Sequence, residues 1–328
     1  MLNAGTLRHC GIMVNYKCTA ACRHCLYSCS PGWEDGYINE KTAREICRLL
    51  VKGGCRSVHI GGGEPFLDFE GLLMMVKELA ASGISLEYIE TNAFWAKNEK
   101  AAEMINRLRD AGIDALCISV DPFHAEYVPY SLPLRLAELC GKSGMGYFLW
   151  KQEFLPALSR LDASKPHSRE EIEKVLSDKY IPNTAKLYGL SYGGRAINIE
   201  DEFTPKKDAE LLSKDKSPCK NLLSTGHFHI DLDANFIPPG CTGIKIPLTE
   251  VVNGIPDGKY PAFEALYKGG INSLAKLALQ AGIKPRTEGY ASKCNLCFHV
   301  RHYLAESGLY PELDSKHYQE ALETKYRN

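Results

Sequence analysis

From about residue 8 to residue 191 the chain alternates short apolar runs with stretches of helical periodicity, and that alternation restricts it to β/α units around a parallel sheet. Strands are expected near residues 8–14, 57–61, 84–91, 114–120, 146–150 and 186–191, each apolar on both faces as buried parallel strands are. Between them Asn39, Asp68, Asn98 and Ser168 are positioned as helix caps. Ser168 with Glu171 forms a capping box ahead of the Ile172, Val175, Leu176 stripe. Gly112 closes the helix that carries Ala101, Met104, Leu108 and Ala111.

After Gly194 the texture changes. Prolines recur at positions 205, 218, 238, 239, 247, 256 and 261, and irregular stretches lengthen. A boundary is therefore expected near residue 200, with residues 201–328 forming a small appended module. Helices are expected there over 272–280, with Gly282 and Pro285 beyond the end, and near 316–325. Residues 229–239 alternate like a hairpin around an Asp-Ala-Asn turn, which would draw Cys219 and Cys241 to one place.

Lysine plus arginine (39) balances aspartate plus glutamate (40), so no basic field exists to steer nucleic acid. No run of 18 uncharged apolar residues occurs, and MLNAGTLRHCGIMVN lacks the apolar core of a secretory signal, so the expected setting is cytoplasmic, without a membrane. Disulfides are disfavoured there, and 13 cysteines then point to metal or redox chemistry for the clustered ones. Cys10, Cys47, Cys55, Cys117 and Cys140 lie within strand or helix patterns and read as small buried hydrophobes.

The clustered cysteines begin with Cys18-Thr-Ala-Ala-Cys22-Arg-His-Cys25, directly after the first strand, so three thiolates leave the C-terminal edge of the sheet on one loop. Zinc sites usually take four ligands in pairs, whereas three thiolates on a [4Fe–4S] cube leave one iron open. Cys29 would close that iron as a fourth ligand and is expected to stand behind the set or to be inert. The second strand ends in Gly61-Gly62-Gly63-Glu64-Pro65, glycine backbone that a ligand can approach plus one carboxylate for an ammonium. A phosphate loop is excluded by the missing Gly-Lys-Ser/Thr.

The C-x3-C-x2-C loop and the Gly62-Gly63-Glu64 turn together resemble the radical S-adenosylmethionine (SAM) superfamily. The resemblance implies an α/β fold, a partial (β/α)6 TIM-type barrel over residues 1–200, with a [4Fe–4S] cluster on Cys18, Cys22 and Cys25 that binds SAM. It further implies that Gly62, Gly63 and Glu64 hold the methionyl amino group. Asn92, Ser119 and Asp121 then contact the carboxylate and ribose, and His24 takes the position of an aromatic residue on the adenine. The implied activity is reductive cleavage of SAM to a 5′-deoxyadenosyl radical that abstracts hydrogen from a substrate. An electron donor of the flavodoxin or ferredoxin type, oxygen sensitivity and a monomeric chain follow.

The resemblance sharpens toward enzymes that epimerise residues in ribosomally made peptides. It is carried by Cys22-Arg-His-Cys25-Leu-Tyr-Ser-Cys29-Ser-Pro31, Gly62-Gly-Glu-Pro-Phe-Leu-Asp68, Asn92-Ala-Phe-Trp95 and Ile118-Ser-Val-Asp-Pro-Phe-His-Ala125. That branch implies a peptide or amino-acid-like small-molecule substrate and an auxiliary [4Fe–4S] cluster, for which Cys219, Cys241, Cys294 and Cys297 are the candidate ligands. The epimerases carry adjacent cysteines near the second position, one of them free to donate hydrogen, whereas this chain has Pro239-Gly240-Cys241. Cys241 is thus either the cluster ligand or the hydrogen donor, and the outcome after hydrogen abstraction stays open. The alternative class is a two-cluster iron–sulfur electron carrier without SAM turnover, against which the glycine turn and the strand ends argue.

His227, His229, His299 and His302 flank the C-terminal cysteines and serve either there or in local hydrogen bonding. Gly193-Gly194-Arg195 either meets a ligand at the barrel edge or forms a solvent-facing turn. Trp150, Lys151, Tyr188 and Tyr192 either line the cavity or pack in the core.

Overall fold

The structure is a computed structural model and describes residues 1–323. Five strands repeat the expected pattern: β1 (His9–Met13), β2 (Ser57–Gly61), β3 (Ser85–Thr91), β4 (Ala115–Ser119) and β5 (Gly146–Trp150). Neighbours among them pair in parallel. Three short strands follow, β6 (Phe228–Ile230), β7 (Asn235–Ile237) and β8 (Ile246–Pro247), and the sheet order is β5-β4-β3-β2-β1-β6-β7-β8. β6 joins β1 in parallel, and β7 and β8 continue antiparallel.

Alternate residues of each strand face opposite sides. Cys10, Ile12, Val58, Ile60, Leu116 and Ile118 are buried in one core with Ile46 and Leu50 of α1 (Glu40–Gly53). Leu72 and Met75 of α2 (Phe69–Ala81) and Ile105 and Leu108 of α3 (Ala101–Asp110) complete it. The other residues of the strands, His9, Gly11, Ser57, His59, Glu90 and Ser119 among them, face the opposite, concave side.

The expected caps hold at Asn39, which accepts from Thr42 N (2.9 Å), and at Asp68, which accepts from Gly71 N (2.9 Å). The capping box of Ser168 and Glu171 is formed. Asn98 differs. Its side chain accepts from Lys100 N (2.9 Å) one turn ahead of α3, and Lys100 occupies the cap position. The helix expected over 272–280 is the second half of Pro261–Gln280, kinked at Gly270. The hairpin forms, with Ile230 opposite Phe236 and Ala234 in the left-handed region at the turn. The last described helix is Ser315–Glu323, so the expected end of that helix at 324 and 325 lies outside the described residues.

The strand expected over 186–191 does not form. A helix spans Tyr180–Tyr188, buries Tyr180, Ile181, Thr184 and Ala185 on one face, and stops at left-handed Gly189. The sixth parallel strand of the partial barrel is instead β6, on the opposite edge. No helix among the described residues is long and apolar enough to cross a membrane.

Candidate active site

The segment after β1 crosses the C-terminal edge of the sheet and carries the three clustered cysteines. Its backbone turns tightly, with Cys18 N donating to Ser30 O (3.1 Å) and Cys25 N to Cys22 O (3.1 Å). The Cys18 sulfur accepts from Ala20 N (3.4 Å) and lies 3.6 Å from Asn92 Nδ2, and the Cys25 sulfur accepts from Cys29 N (3.3 Å). Such N–H···S bonds favour the thiolate that a metal needs. Cys18, Cys22 and Cys25 line one cleft of about 330 Å³ together with His24, Gly62, Gly63, Asn92 and Ser119. Cys29 is buried, reaches the same cleft and hydrogen-bonds the Cys25 thiol, so it stands directly behind that ligand position.

Buried polar groups from elsewhere in the chain brace this loop. Arg195 is fully buried and donates from its backbone N to Cys25 O (3.0 Å), from Nε to Cys22 O (3.0 Å) and from its guanidinium to Cys29 O. Gly194 sits at φ 52°, and a Cβ there would fall 2.1 Å from Leu26 O, so only glycine lets the two segments meet. Gly193-Gly194-Arg195 is therefore no solvent-facing turn; it is buried and clamps the cysteine loop. Arg23 Nε holds both carboxylate oxygens of Glu126 (2.8 and 2.9 Å), which also accepts from the Tyr180 hydroxyl (3.1 Å). None of these partners shows a local sequence signal, because each pairing joins segments far apart in the chain.

Glu64 is fully buried and accepts from Thr91 Oγ1 (2.8 Å), Asn92 N (2.8 Å) and Phe66 N (3.2 Å). Burial pushes its carboxyl up to about 7, against the pull of those donors. It ties the end of β2 to the end of β3, while Gly62, Gly63 and Pro65 line the cleft around it. A Cβ at Gly63 would lie 2.0 Å from Lys17 O, so the turn seats the cysteine loop by close backbone approach. Asn92 Nδ2 also donates to Thr19 Oγ1 (3.0 Å), joining the end of β3 to the same loop.

Asp121 is buried and caps the short helix Pro122–Ala125, accepting from Phe123 N (2.9 Å) and His124 N (3.0 Å). Its second oxygen lies 2.7 Å from His124 Nδ1 and 3.7 Å from His24 Nε2. Although burial opposes it, those histidines hold the Asp121 carboxyl below its ordinary range. Burial likewise opposes a charge on His124, yet Asp121 and Cys22 hold that ring well above its ordinary range. His24 stacks on Phe123 (5.1 Å between ring centres), and burial pushes it down to about 4. Its Nδ1 is buried without a hydrogen-bond partner, an open polar atom at the wall of the cleft. Tyr188 lines the cleft and accepts from Trp150 Nε1 (2.8 Å), with Lys151 over its ring at 5.1 Å, while Tyr192 is partly exposed.

The C-terminal cysteines also converge. Cys219 precedes the turn Lys220–Leu223, Cys241 follows β7, and Cys294 and Cys297 occupy the first turn of the helix Lys293–Glu306. Burial pushes the Cys241 thiol up to about 12, Arg301 opposes the rise, and Cys297, Cys294 and Cys219 add to it. Burial likewise raises Cys219 and Cys294, each made worse by a neighbouring thiol of the set. Arg301 is buried beside Cys297 and donates to Thr242 O (2.8 Å) and the Tyr318 hydroxyl (3.0 Å). His299 meets Asp201 (3.2 Å), 98 residues away, and Arg286 (3.1 Å), and His302 lies 3.5 Å from Glu306 one turn on. His227 and His229 lie instead with His9 and His59 on the concave side of the sheet.

Among the described residues, the groups whose metal-binding atoms all fall within 4.8 Å of one another consist of histidines and an aspartate, not of cysteines. One tetrahedral zinc ion would draw its thiolates to about 3.8 Å. Neither cysteine set is drawn together that closely.

Residues 12–144, about two fifths of the chain, match the Radical SAM superfamily. That superfamily implies a [4Fe–4S] cluster and SAM. Over 121 residues the chain is 26% identical to YydG of Bacillus subtilis (strain 168), a protein named for peptide biosynthesis, covering 37% of this chain and 38% of YydG. Over 113 residues it is 30% identical to the GTP 3′,8-cyclase of Klebsiella pneumoniae (strain 342), covering 33% of this chain and 32% of the cyclase. These matches span about a third of the curated relatives' own length. Streptococcus suis SuiB, solved with its precursor peptide SuiA, aligns over 82% of this chain and 71% of SuiB at 13% identity and a TM-score of 0.36.

Proposed function

We propose that the chain is a radical SAM enzyme that abstracts a hydrogen atom from a peptide or amino-acid-like substrate. The observation that carries this reading is the convergence of Cys18, Cys22 and Cys25 on one cleft with Gly62, Gly63, Asn92, Ser119 and His24. The group held there supplies reductive cleavage of SAM and the 5′-deoxyadenosyl radical that takes the hydrogen. Cys18, Cys22 and Cys25 hold the cluster, and Arg195 and Gly194 keep the loop that presents them in one conformation. Glycine backbone at 62 and 63 admits the methionyl end, Asn92 and Ser119 offer polar contacts at the strand ends, and His24 presents its open Nδ1 to the adenosyl end. Glu64 and Asp121 are spent largely on protein donors, so their part is to hold the strand ends and the His24–His124 pair.

Similarity to a protein named for peptide biosynthesis supports a peptide substrate. The part of the chain after residue 200, which also gives the barrel sheet its strand β6, would carry the C-terminal module, with Cys219, Cys241, Cys294 and Cys297 as ligands of an auxiliary [4Fe–4S] cluster. Cys241 would then be a ligand and not a hydrogen donor, which would leave quenching of a substrate radical to an epimer without the free thiol it needs. A flavodoxin or ferredoxin in the cytoplasm would supply the electron. The test is 5′-deoxyadenosine released from SAM by reduced, anaerobically reconstituted protein, beside a variant with Cys18, Cys22 and Cys25 changed to alanine. Release by the unaltered chain alone is expected. No release from either, with clusters and SAM binding verified, would leave a two-cluster electron carrier.

A further inference from the structure

Away from the cysteine loop, on the concave side toward the N-terminal ends of the strands, four histidines from distant parts of the chain meet. His9 opens β1, and Gly11 lies in register with His59 of β2 on one side and His229 of β6 on the other. A Cβ at Gly11 would fall 2.5 Å from His59 Nε2 and 2.4 Å from His229 Nε2, so glycine alone leaves room for both rings. His227 completes the group just before β6.

One nitrogen of each of His9, His59 and His227 lies within 4.8 Å of the other two. His9 Nε2 and His59 Nδ1 stand 3.3 Å apart, and the three ring centres are separated by 5.4, 5.0 and 5.3 Å. An ion that binds three imidazoles tetrahedrally at zinc–nitrogen bond lengths sets their nitrogens about 3.3 Å and their ring centres roughly 5 Å apart. The nitrogens turned away from this point meet oxygen. His9 Nδ1 lies 3.3 Å from Ser57 Oγ and 3.6 Å from Glu87, and His59 Nε2 lies 3.6 Å from Glu90. A carboxylate behind a ligating imidazole fixes its tautomer and aims the lone pair of the other nitrogen at the metal.

We propose that His9, His59 and His227 bind one divalent transition-metal ion of the zinc type, at a site separate from both cysteine sets, with His229 edge-on beside it. Three protein ligands leave a fourth position open, as in zinc sites that take a water or an oxygen donor of a ligand. The inference is independent of SAM turnover.

The experiment uses the cluster-reconstituted chain, so that cysteine thiols are occupied, equilibrated with zinc, freed of excess metal and examined by elemental analysis and zinc-edge X-ray absorption. About one zinc per chain is expected, with a nitrogen and oxygen shell and the outer-shell scattering of imidazole. In H9Q/H227Q, whose side chains are partly exposed and tolerate change, zinc affinity should fall by more than about 100-fold, the loss that an outer-shell partner alone can cause. Glu87→Gln should lower it about tenfold with iron content unaltered. No zinc beyond trace, sulfur in the zinc shell, or unchanged affinity in H9Q/H227Q would each overturn the site and leave the 3.3 Å contact as a hydrogen bond between two imidazoles.

Discussion

The two cysteine sets of this chain are held in opposite ways. The loop set lies within one turn-rich segment, and its geometry depends on groups brought from far away: the Arg195 clamp, Gly194 against Leu26, the Arg23–Glu126 pair and Asn92 on Cys18. The C-terminal set is collected from three segments, joined where Arg301 of the helix Lys293–Glu306, buried beside Cys297, donates to Thr242 O next to Cys241. A short loop leaves its own backbone underdetermined, so the fold must hold it from outside. Three separate segments are each anchored by their own element, and need only one buried cation to offset crowded thiols. The loop set should therefore fail when a distant brace is removed, and the C-terminal set should not.

The sharpest separation comes from the ligands themselves. Alanine at Cys18, Cys22 and Cys25 should abolish deoxyadenosine release and remove about half of the iron, whereas alanine at Cys294 and Cys297 should remove the other half and leave SAM cleavage in place. Iron per chain and deoxyadenosine measured on the same samples decide it. Loss of all iron from either variant would mean that the sets fold as one unit.

Next in size is the backbone brace. Gly194→Ala puts a Cβ 2.1 Å from Leu26 O in a left-handed conformation and should cost on the order of 3 kcal/mol while stripping iron from the loop set. Gly83→Ala, also left-handed at φ 67° but with nothing within 4 Å of the new carbon, should cost about 1 kcal/mol and leave both clusters intact. Equal losses in urea denaturation would refute the clamp. Of the same size as Gly194→Ala is Glu126→Gln, which breaks a buried ion pair and should cost about 3 kcal/mol with iron lost from the loop set first.

The five parallel strands, the capping box at Ser168 and the β6–β7 hairpin were legible in the sequence because each rests on local pattern. The strand expected over 186–191 was not, since a short apolar run cannot be told from the end of a buried helix by periodicity, and the decisive mark was Gly189 as a helix stop. The cysteine loop and the glycine turn were legible as chemistry. Their supports were not: Arg195 lies 166 residues from Cys29, and no local signal links them. Asp121 and Glu64 carry the right residue types at the right strand ends, yet the fold commits their carboxylates to backbone and side-chain donors. The histidine group was invisible for the same reason as Arg195, because only strand register brings His59 and His229 to either side of Gly11.

The smallest expected effect tests the C-terminal half of the comparison. Arg301 is a buried cation beside Cys297 and Cys241, and it opposes the rise that burial and crowding impose on both thiols. Reduction adds negative charge to a cluster, so a nearby buried cation favours the reduced state, and Arg301→Gln should move the midpoint of the C-terminal cluster to a more negative potential. A shift on the order of 60 mV corresponds to a tenfold change in a one-electron equilibrium, a reasonable size for one partly compensated charge. The loop cluster, braced by Arg195 and not by Arg301, should keep its midpoint and its deoxyadenosine yield. Equal shifts at both clusters would show that the two sets share one electrostatic environment, and an unchanged midpoint with lowered thermal stability would reduce Arg301 to its hydrogen bonds with Thr242 and Tyr318.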